Sequence, residues 1–203
     1  MSSNLPTAPE FGTPVAAGRS DEVLRFLALR RSNSAATLMA PAPDPAQLSD
    51  LLRLAARVPD HGKLAPWRFI VLDGEGKAMF AARLEALCRE RSDALAAAKL
   101  AKLKVPPLAV VVVSSPKATA IPAWEQTLSS GAVCLTLLQA ASAMGFGANW
   151  ITDWYSYDVQ ASAILGLSPD ERVAGFVMIG TARDAPLERE RPSLEGLITR
   201  WHG

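Results

Sequence analysis

Three consecutive polar residues could together hold one anion. Arg30, Arg31 and Ser32 stand where a predicted helix ends, and they offer two guanidinium groups and a hydroxyl. A charge-assisted hydrogen bond from such a group contributes ~1.5 to 3 kcal/mol. The chain has 15 arginines and 6 lysines, and arginine binds phosphate or carboxylate through two parallel hydrogen bonds. The alternative is that the two arginines only complement the negative end of the helix dipole.

A second basic group stands near the C-terminus. Arg189 and Arg191 flank one glutamate in the sequence RER, directly before Pro192. The pair could bind the same anion from another side, or it could be a solvated run of charges on the surface. The sequence therefore leaves two interpretations of these arginines: they bind one discrete anionic ligand, or they are solvated surface charges.

The segment PDHGKLAPW, residues 59–67, holds the third group of chemically useful side chains. His61 and Lys63 lie between two prolines, and Trp67 follows where a strand is predicted to begin. These side chains would suit the edge of a planar, polar heterocycle, because they combine hydrogen-bond donors with an aromatic face. The alternative is a rigid loop whose tryptophan caps the hydrophobic core.

The numbers and spacing of certain residues exclude several common kinds of functional site. The chain has only two histidines and two cysteines, well separated, so we predict no closed zinc site and no other metal site. No G-x-S-x-G segment is present to support a serine hydrolase. The G-x-G-x-x-G and G-x-x-x-x-G-K-[ST] phosphate-binding motifs are absent too. GEGK, residues 74–77, lacks the required spacing and is predicted to lie at a tight turn.

Composition limits the fold and the partners. The chain has 203 residues, 49% of them hydrophobic, which fits one globular domain, predicted over residues 20–203. Its 21 basic and 20 acidic residues nearly cancel, so a general nucleic-acid binder is excluded. The few cysteines and the lack of ~18 consecutive apolar residues predict a cytoplasmic protein without a membrane span. Residues 1–19, with three prolines and two glycines, are predicted to form a disordered arm.

Start signals and periodicity predict five helices. They cover residues 20–30, 44–58, 77–103, 122–144 and 159–165. The third is predicted as one long helix after a turn at DGEG, because Ala, Leu, Arg and Glu dominate it. From Gly131 onward the fourth is apolar or small on every side, which predicts burial either in the core or between two subunits.

Apolar runs predict four strands. They cover residues 68–72, 108–115, 147–152 and 172–180. LAVVVVSS, residues 108–115, is almost entirely apolar and β-branched, which is typical of a central strand covered on both faces. We therefore predict one α+β domain, with about four strands and long helices packed over them.

Four segments in the same order make the chain resemble the FMN-dependent nitroreductase family. They are LRRSNS, RVPDHGKLAPWRF, PAWEQTLSSGAVCLTLLQAASAMGFGANW, and GFVMIGTA followed by RERP. The resemblance covers residues 21–201 and is closest to the short-chain branch of NAD(P)H nitroreductases. It implies a central, mostly antiparallel sheet of about four to five strands flanked by long helices. It also implies an entwined homodimer with two FMN sites at the interface, which would account for the apolar helix after Gly131.

The resemblance further implies which residues contact FMN. The signature at the end of the first helix and the basic pair near the tail would bind the phosphate and ribityl chain: Arg30, Arg31, Ser32, Arg189 and Arg191. Arg57 and His61 match positions that reach the flavin of the other subunit. Trp150, Ile151 and Thr152 match a segment whose backbone borders the isoalloxazine ring. Residues 140–145 resemble part of the nicotinamide-nucleotide side.

The activity implied is ping-pong oxidoreduction. NAD(P)H would deliver hydride to flavin N5, and a nitroarene or quinone would then take the electrons. The cofactor carries this chemistry, so no catalytic residue is predicted in the protein. His61 or Lys63 would place a cation near the pyrimidine edge and stabilise the anionic reduced flavin. Departures from the common family pattern at Ser34, Asp60, Lys63 and Ala65 bear on the phosphate contacts and on the substrate.

Three other functions stay open at this point. A family relative could use reduced FMN for dehalogenation or flavin fragmentation. A flavin-binding or flavin-storing protein would show negligible turnover, and a dimeric interaction module would bind no flavin at all.

Overall fold

A five-stranded sheet lies at the centre of the computed structural model, which describes residues 5–203. The strands are β1 (Leu38–Met39), β2 (Trp67–Asp73), β3 (Leu108–Ser114), β4 (Gly147–Ile151) and β5 (Arg172–Ala182). The α-helices of the described part are α1 (Asp21–Leu29), α2 (Pro45–Ala55), α3 (Gly74–Glu90), α4 (Ala94–Lys99), α5 (Ala101–Lys104), α6 (Ala123–Ala143) and α7 (Val159–Ile164). The α+β class and the antiparallel sheet are confirmed.

The strand β3 is central, as its sequence predicts. All its residues are buried, and it pairs with β2 on one side and β5 on the other, both antiparallel. The strand β5 is the longest and also pairs antiparallel with β1 and β4. Its register with β3 shifts where Val112 pairs with Gly175 and Val113 with Val173. Ala174 is therefore an extra residue in β5, as in a β-bulge.

The two faces of the sheet are covered by different helices. Side chains alternate along a strand, so Val110 and Val112 of β3 pack in one cluster, whereas Val111 and Val113 pack in the other. The first cluster includes residues of α2 and α6, and the second includes residues of α3 and α5. This arrangement explains the uninterrupted apolar run, because a strand between two helical layers has no face in water.

Capping explains where α1 and α2 begin. The Ser20 hydroxyl accepts a hydrogen bond from the Val23 N–H, as the sequence predicts. The Asp44 carboxylate accepts from the Gln47 N–H, while the Gln47 side chain accepts from the Asp44 N–H. This reciprocal pair satisfies two N–H groups that a helix start would leave without partners.

The prediction of one long helix over residues 77–103 is wrong, since α3, α4 and α5 occupy this stretch. Ser92 has a φ of 54°, and the Asp93 side chain caps α4 by accepting from the Ala96 N–H. Serine and aspartate compete for backbone hydrogen bonds in this way, so they end one helix and begin the next. The predicted turn at DGEG is wrong as well, because Gly74 is the first residue of α3.

The stretches at the two chain ends contain no α-helix or β-strand where they are described. Residues 5–19 are mostly exposed, and the Arg53 side chain donates a hydrogen bond to the Pro6 carbonyl. The predicted arm also includes residues 1–4, which lie outside the described part. Residues 183–203 are also exposed and follow β5 as an extended tail. Across residues 5–203, every helix is too short or too polar to cross a membrane.

Candidate functional site

The end of α1 presents the three residues predicted to bind a phosphate. The helix ends at Leu29, and the Arg30 N–H donates to the Phe26 carbonyl. The Arg30 guanidinium donates to the Ser32 hydroxyl at 3.4 Å between Nη1 and Oγ. The side chains of Arg30 and Ser32 therefore lie side by side where the chain leaves α1, and Arg30, Arg31 and Ser32 are each half-buried.

The tail brings Arg191 to the same place. Arg31 Nε donates to the Leu187 carbonyl at 3.1 Å and lies 3.5 Å from Glu188 Oε1. Arg191 Nη2 lies 3.0 Å from the same glutamate oxygen. Residues separated by about 160 positions in the sequence thus form one group, which we call the arginine cluster: Arg30, Arg31 and Arg191.

The arginine cluster carries more positive than negative charge. Partial burial lowers the pKa of the Arg30 guanidinium, and the nearby charges of Arg31 and Arg191 lower it further. Arg31 and Arg191 pair with one carboxylate, that of Glu188, so the three guanidinium groups and Glu188 together carry two positive charges in excess. Glu22 and Arg25, which also line the neighbouring cavity, add one charge of each sign. A phosphate monoester carries about −1.5 to −2 charges near neutral pH, so the cluster matches the charge of such a group.

Arg189, the other member of the predicted pair, lies differently. Its backbone N–H donates to Glu188 Oε1 at 2.8 Å, whereas its side-chain Nε is 3.5 Å from the Glu190 carbonyl. The structure therefore brings Arg191, and not the Arg189 guanidinium, into contact with the carboxylate of the cluster.

A cavity of about 570 Å³ opens beside the cluster. It is lined by residues from the end of α1, the turn after α6 and the start of β4, among them Phe26, Arg30, Arg31, Asn33, Phe146 and Gly147. Aromatic faces next to guanidinium groups suit a ligand that joins a planar ring to a phosphate.

The chain after the signature is fastened to β4. The Asn33 N–H donates to the Ala148 carbonyl at 3.0 Å, and the Asn149 side chain donates to the Asn33 carbonyl. A Cβ at Gly147 would lie 2.6 Å from a Leu38 methyl carbon, so only glycine allows this close approach. The start of β4 thereby holds the arginine cluster in position.

Trp150 packs against β5 near the end of β4. A Cβ at Gly175 would lie 2.0 Å from Trp150 Nε1, and this nitrogen donates to the Ala174 carbonyl at 3.3 Å. The indole thus covers the β-bulge and remains 39% exposed. Ile151 is half-buried and Thr152 is exposed at the strand end.

The loop of residues 59–67 is attached to the start of α6. The Ser129 hydroxyl donates to the Pro59 carbonyl at 2.9 Å and accepts from Trp67 Nε1 at 3.2 Å. His61 Nδ1 lies 2.8 Å from Glu125 Oε2. His61 and Lys63 are both exposed, as is Arg57 just before the loop. Trp67 therefore belongs to the packing of the loop, while the charged residues face outward.

The same loop stores backbone strain. Lys63 and Ala65 have φ values of 55° and 43°, a region that costs a residue with a Cβ about 1 kcal/mol or more. The Asp60 carboxylate accepts from the Ala65 N–H at 2.6 Å and holds the turn. Gly62 has a φ of 75°, a left-handed conformation that a residue with a Cβ would adopt only with strain, and its Cβ would also push the Ile121 terminal methyl aside. Strain of this kind is often kept at functional sites.

The two groups of predicted residues lie at opposite ends of α6 in one chain. The loop contacts Glu125 near the start of the helix, whereas the cavity beside the arginine cluster includes Ser142 near its end. At a rise of 1.5 Å per residue, these two helix positions are about 25 Å apart.

Two features of this site were missed in the sequence. Glu188 lies between the two predicted basic groups and belongs to the cluster, although its position in LERERP made it a visible candidate. Gly175 interrupts the apolar run of β5, and a glycine inside a strand is a recognised sign of a bulge or close approach. Neither signal indicates which side chain is contacted, because Arg31 and Trp150 lie far away in the sequence from Glu188 and Gly175.

The sequence and the fold agree with one family of known proteins. A sequence model of the Nitroreductase family matches residues 28–181, and the chain belongs to this family. A relative from Escherichia coli strain K12, named "Putative NAD(P)H nitroreductase YdjA", is 34% identical over 163 residues. The match covers 79% of this chain and 88% of the relative.

Solved structures share the fold. A nitroreductase-like family protein from Bacillus cereus superposes with a TM-score of 0.80 at 22% identity, covering 93% of this chain and all of the other. A structure from Desulfovibrio desulfuricans, described as a "putative nitroreductase in complex with fmn", has a TM-score of 0.72 at 18% identity, covering 91% of this chain and 100% of the other. The nitroreductase-like fold predicted from the sequence is thereby confirmed.

Within residues 5–203, no three His, Cys, Asp or Glu side chains are grouped so as to hold a metal ion. Cys88 and Cys134 are buried and unpaired, and burial raises the pKa of the Cys134 thiol to about 12.

Proposed function

We propose that the protein is an FMN-dependent NAD(P)H oxidoreductase that reduces nitroaromatic or quinone-type acceptors. The observation that carries this proposal is the arginine cluster, with its excess of positive charge beside a cavity with aromatic walls. Membership of the Nitroreductase family and the name of the Escherichia coli relative support an oxidoreductase that uses a nicotinamide donor.

The residues present fit the phosphate end of FMN. Arg30, Arg31 and Arg191 would bind the phosphate, and the Ser32 hydroxyl would bind the phosphate or the ribityl chain. Arg189 would join them only after its side chain turns away from the Glu190 carbonyl. Bound FMN would accept hydride at N5 from NAD(P)H and pass electrons to the acceptor in a second step.

The protein's own groups would position and tune the flavin. The backbone of Trp150, Ile151 and Thr152 would border the isoalloxazine ring, with the indole fixed against Gly175. Lys63 or His61 would place positive charge near the pyrimidine edge and favour the anionic reduced form. No side chain is assigned as a general acid or base.

The separation of the two groups favours a homodimer. An FMN whose phosphate lies in the arginine cluster of one chain does not reach the loop of the same chain, about 25 Å farther along α6. Contact of one flavin with both groups therefore requires the loop of a second copy, which would supply Arg57, His61 and Lys63. The cytoplasmic location stays a prediction.

Exposed apolar side chains offer the surface for such a dimer. On α6, Trp124, Leu128 and Leu135 are 70%, 54% and 43% exposed and share one face of the helix. On α1, Leu24 and Leu27 are more than half exposed. The burial on every side that was predicted for α6 from Gly131 onward is thus incomplete in a single chain, because Leu135 is exposed, and a second copy would complete it.

The visible absorption spectrum tests the proposal first. The protein is incubated with FMN, desalted and examined near ~450 nm, then reduced anaerobically with NADH or NADPH. We expect retained flavin bands that bleach, and NAD(P)H oxidation that accelerates when a quinone is added. A protein that takes up no FMN would contradict the proposal. Retained flavin without turnover would instead identify a flavin-binding or flavin-storing protein.

A further inference from the structure

We propose that Glu188 is an internal anion that occupies the phosphate position of the arginine cluster and is displaced when FMN binds. The tail segment, residues 184–191, would then cover the cluster in the FMN-free protein and compete with the cofactor. This inference rests on the proposed function, since it takes the FMN phosphate as the ligand of the cluster.

The contacts of Glu188 are those of a bound oxyanion. Its Oε1 atom lies 3.5 Å from Arg31 Nε, 3.0 Å from Arg191 Nη2 and 2.8 Å from the Arg189 backbone nitrogen. Two guanidinium groups and one backbone N–H are donors that proteins commonly use for phosphate oxygens. A carboxylate oxygen with these three partners fills the place that a phosphate oxygen would take.

The tail segment is held by some of the same donors. Arg31 Nε donates to the Leu187 carbonyl at 3.1 Å, so a phosphate that took this N–H would release the carbonyl. The Asn33 side chain donates to the Asp184 carbonyl at 3.4 Å, which fastens the tail segment to the residue directly after the signature. Binding of a phosphate and closure of the tail segment are therefore coupled through Arg31.

Electrostatics agree with this geometry. The Arg189 backbone N–H lowers the pKa of the Glu188 carboxyl most, and Arg191 and Arg31 lower it further. The carboxylate therefore stays ionised in its place on the cluster. Because it neutralises only one of three positive charges, a dianionic phosphate would be bound more strongly than the single carboxylate that it replaces.

The test compares FMN with riboflavin, which lacks the phosphate. In Glu188→Gln the side chain keeps its shape but loses its charge, so FMN no longer competes with an anion. We expect the Kd for FMN to fall about three- to tenfold, as for the loss of one or two exposed ion pairs. The Kd for riboflavin should stay unchanged, because this ligand places no phosphate in the cluster. Fluorescence titration of the full-length apoprotein measures both.

Glu190→Gln is the matched control. It removes the same charge from the same tail segment, yet the Glu190 carboxylate has no ion pair with the cluster among the described residues. We expect its Kd for FMN to remain within about twofold of the unaltered protein. An equal gain in both variants would show a general charge effect and overturn the inference.

Inorganic phosphate separates this inference from the proposed function. Its Kd, measured by calorimetry for the unaltered protein and Glu188→Gln, tests the competition without any flavin. Unaltered protein that binds phosphate but no FMN would refute the proposed function, and tighter phosphate binding in the variant would still support displacement. If Glu188→Gln binds FMN and phosphate no better, or binds them more weakly, Glu188 is not a competitor.

Discussion

The two ends of α6 present opposite kinds of surface. Beside its C-terminal end lies the arginine cluster, in which Arg31 and Arg191 share the Glu188 carboxylate and Arg30 lies close to both. Against its N-terminal end lies the loop of residues 59–67, whose strained backbone displays His61 and Lys63 to solvent. The cluster carries more positive charge than Glu188 neutralises, which fits the phosphate ligand that we propose for it. The loop is held in place by hydrogen bonds to Ser129, while His61 and Lys63 point outward. The role of these two side chains therefore depends on which molecule or second copy packs against the loop.

This contrast suggests different roles for the two regions: the arginine cluster would bind the FMN phosphate, and the loop would adjust the energy of the reduced flavin. Charge-assisted hydrogen bonds from several guanidinium groups give affinity, whereas one exposed cation near a ring gives a small change in the energy of a charged state. We therefore expect substitutions at the cluster to change FMN affinity strongly and substitutions at the loop to change mainly rates.

Loss of two guanidinium groups of the cluster should have the largest effect. In Arg30→Ala/Arg31→Ala, charge-assisted bonds of ~1.5 to 3 kcal/mol each are lost, so the Kd for FMN should rise about 10²- to 10⁴-fold. Fluorescence titration with FMN measures this change. Arg83→Ala/Arg89→Ala serves as the control, because it removes two exposed guanidinium groups from α3, on the face of the sheet opposite α6. Equal losses in the two proteins would contradict the separate roles of the arginines.

The next effect concerns stability at the loop end, where Arg68 follows Trp67. Arg68 donates to both oxygens of Glu171, at 2.6 and 2.7 Å. Arg68→Met leaves Glu171 buried without its partner, but Arg68 is itself 39% exposed. We therefore expect a loss of about 2 kcal/mol in the free energy of unfolding, below the ~3 to 5 kcal/mol of a fully buried pair. Chemical denaturation measures it, and FMN affinity of the folded protein should not change.

This pair also predicts a pH dependence. The hydrogen bond from Arg68 lowers the pKa of Glu171 from 4.5 to about 2. A depressed pKa in the folded state means that the contribution is complete above pH 4.5 and is lost as the pH falls toward about 2. The Tm difference between the unaltered protein and Arg68→Met should shrink over this interval. A difference that stays constant on acidification would show that the ion pair is not its source.

A smaller effect is expected from the outward-facing polar residues of the loop, His61 and Lys63. In His61→Ala/Lys63→Ala, the rate of flavin reduction by NAD(P)H should fall about two- to fivefold, because about 1 kcal/mol of charge stabilisation is lost. Stopped-flow absorbance measures the rate. Unaltered FMN affinity together with an unaltered reduction rate would remove both residues from the site.

Mixed dimers test whether the loop beside each flavin belongs to the same chain as the arginine cluster or to the second copy. An Arg31→Ala chain paired with a His61→Ala/Lys63→Ala chain keeps one arginine cluster intact. If the loop comes from the other copy, the flavin bound there faces an intact loop and is reduced at the unaltered rate. If the loop comes from the same chain, that flavin is reduced at the slower rate of the loop variant.

The smallest expected effect is a gain in stability at the strained loop. Ala65 has a φ of 43°, which glycine adopts without the penalty of a Cβ. Ala65→Gly should therefore raise the free energy of unfolding by about 0.5 to 1 kcal/mol. Ala56→Gly is the control, since Ala56 has a φ of −71° at the end of α2 and glycine should destabilise it. A loss of stability in both variants would mean that the loop stores no strain.

Local rules predicted the elements wherever the deciding interaction is local. The caps at Ser20 and Asp44 bond to residues three positions ahead, so their sequence signals were sufficient. The fully apolar run of β3 predicted a central strand because only a covered strand tolerates it. The prediction of one long helix was wrong at Ser92 and Asp93. Their side chains compete for backbone hydrogen bonds, and this outweighed the high helix propensity of the neighbouring residues.

The site was predictable in its parts but not in its arrangement. The residue types at Arg30, Arg31 and Ser32 indicated an anion-binding group before any fold was known. Whether Arg189 or Arg191 enters that group depends on the path of the tail, which no periodicity describes. The approach of Gly175 to Trp150 likewise depends on the bulge in β5 and on its pairing with β4.

The sequence by itself determined the α+β class, most helix and strand positions, and the chemical types that could bind a phosphate and a planar ring. These properties follow from periodicity, caps and side-chain chemistry, which act over a few residues. Only the tertiary structure decided that Glu188 and Arg191 join Arg31, and that the loop of residues 59–67 lies at the other end of α6. Such contacts join residues far apart in the chain, so they exist only after the sheet has brought its helices and its tail together.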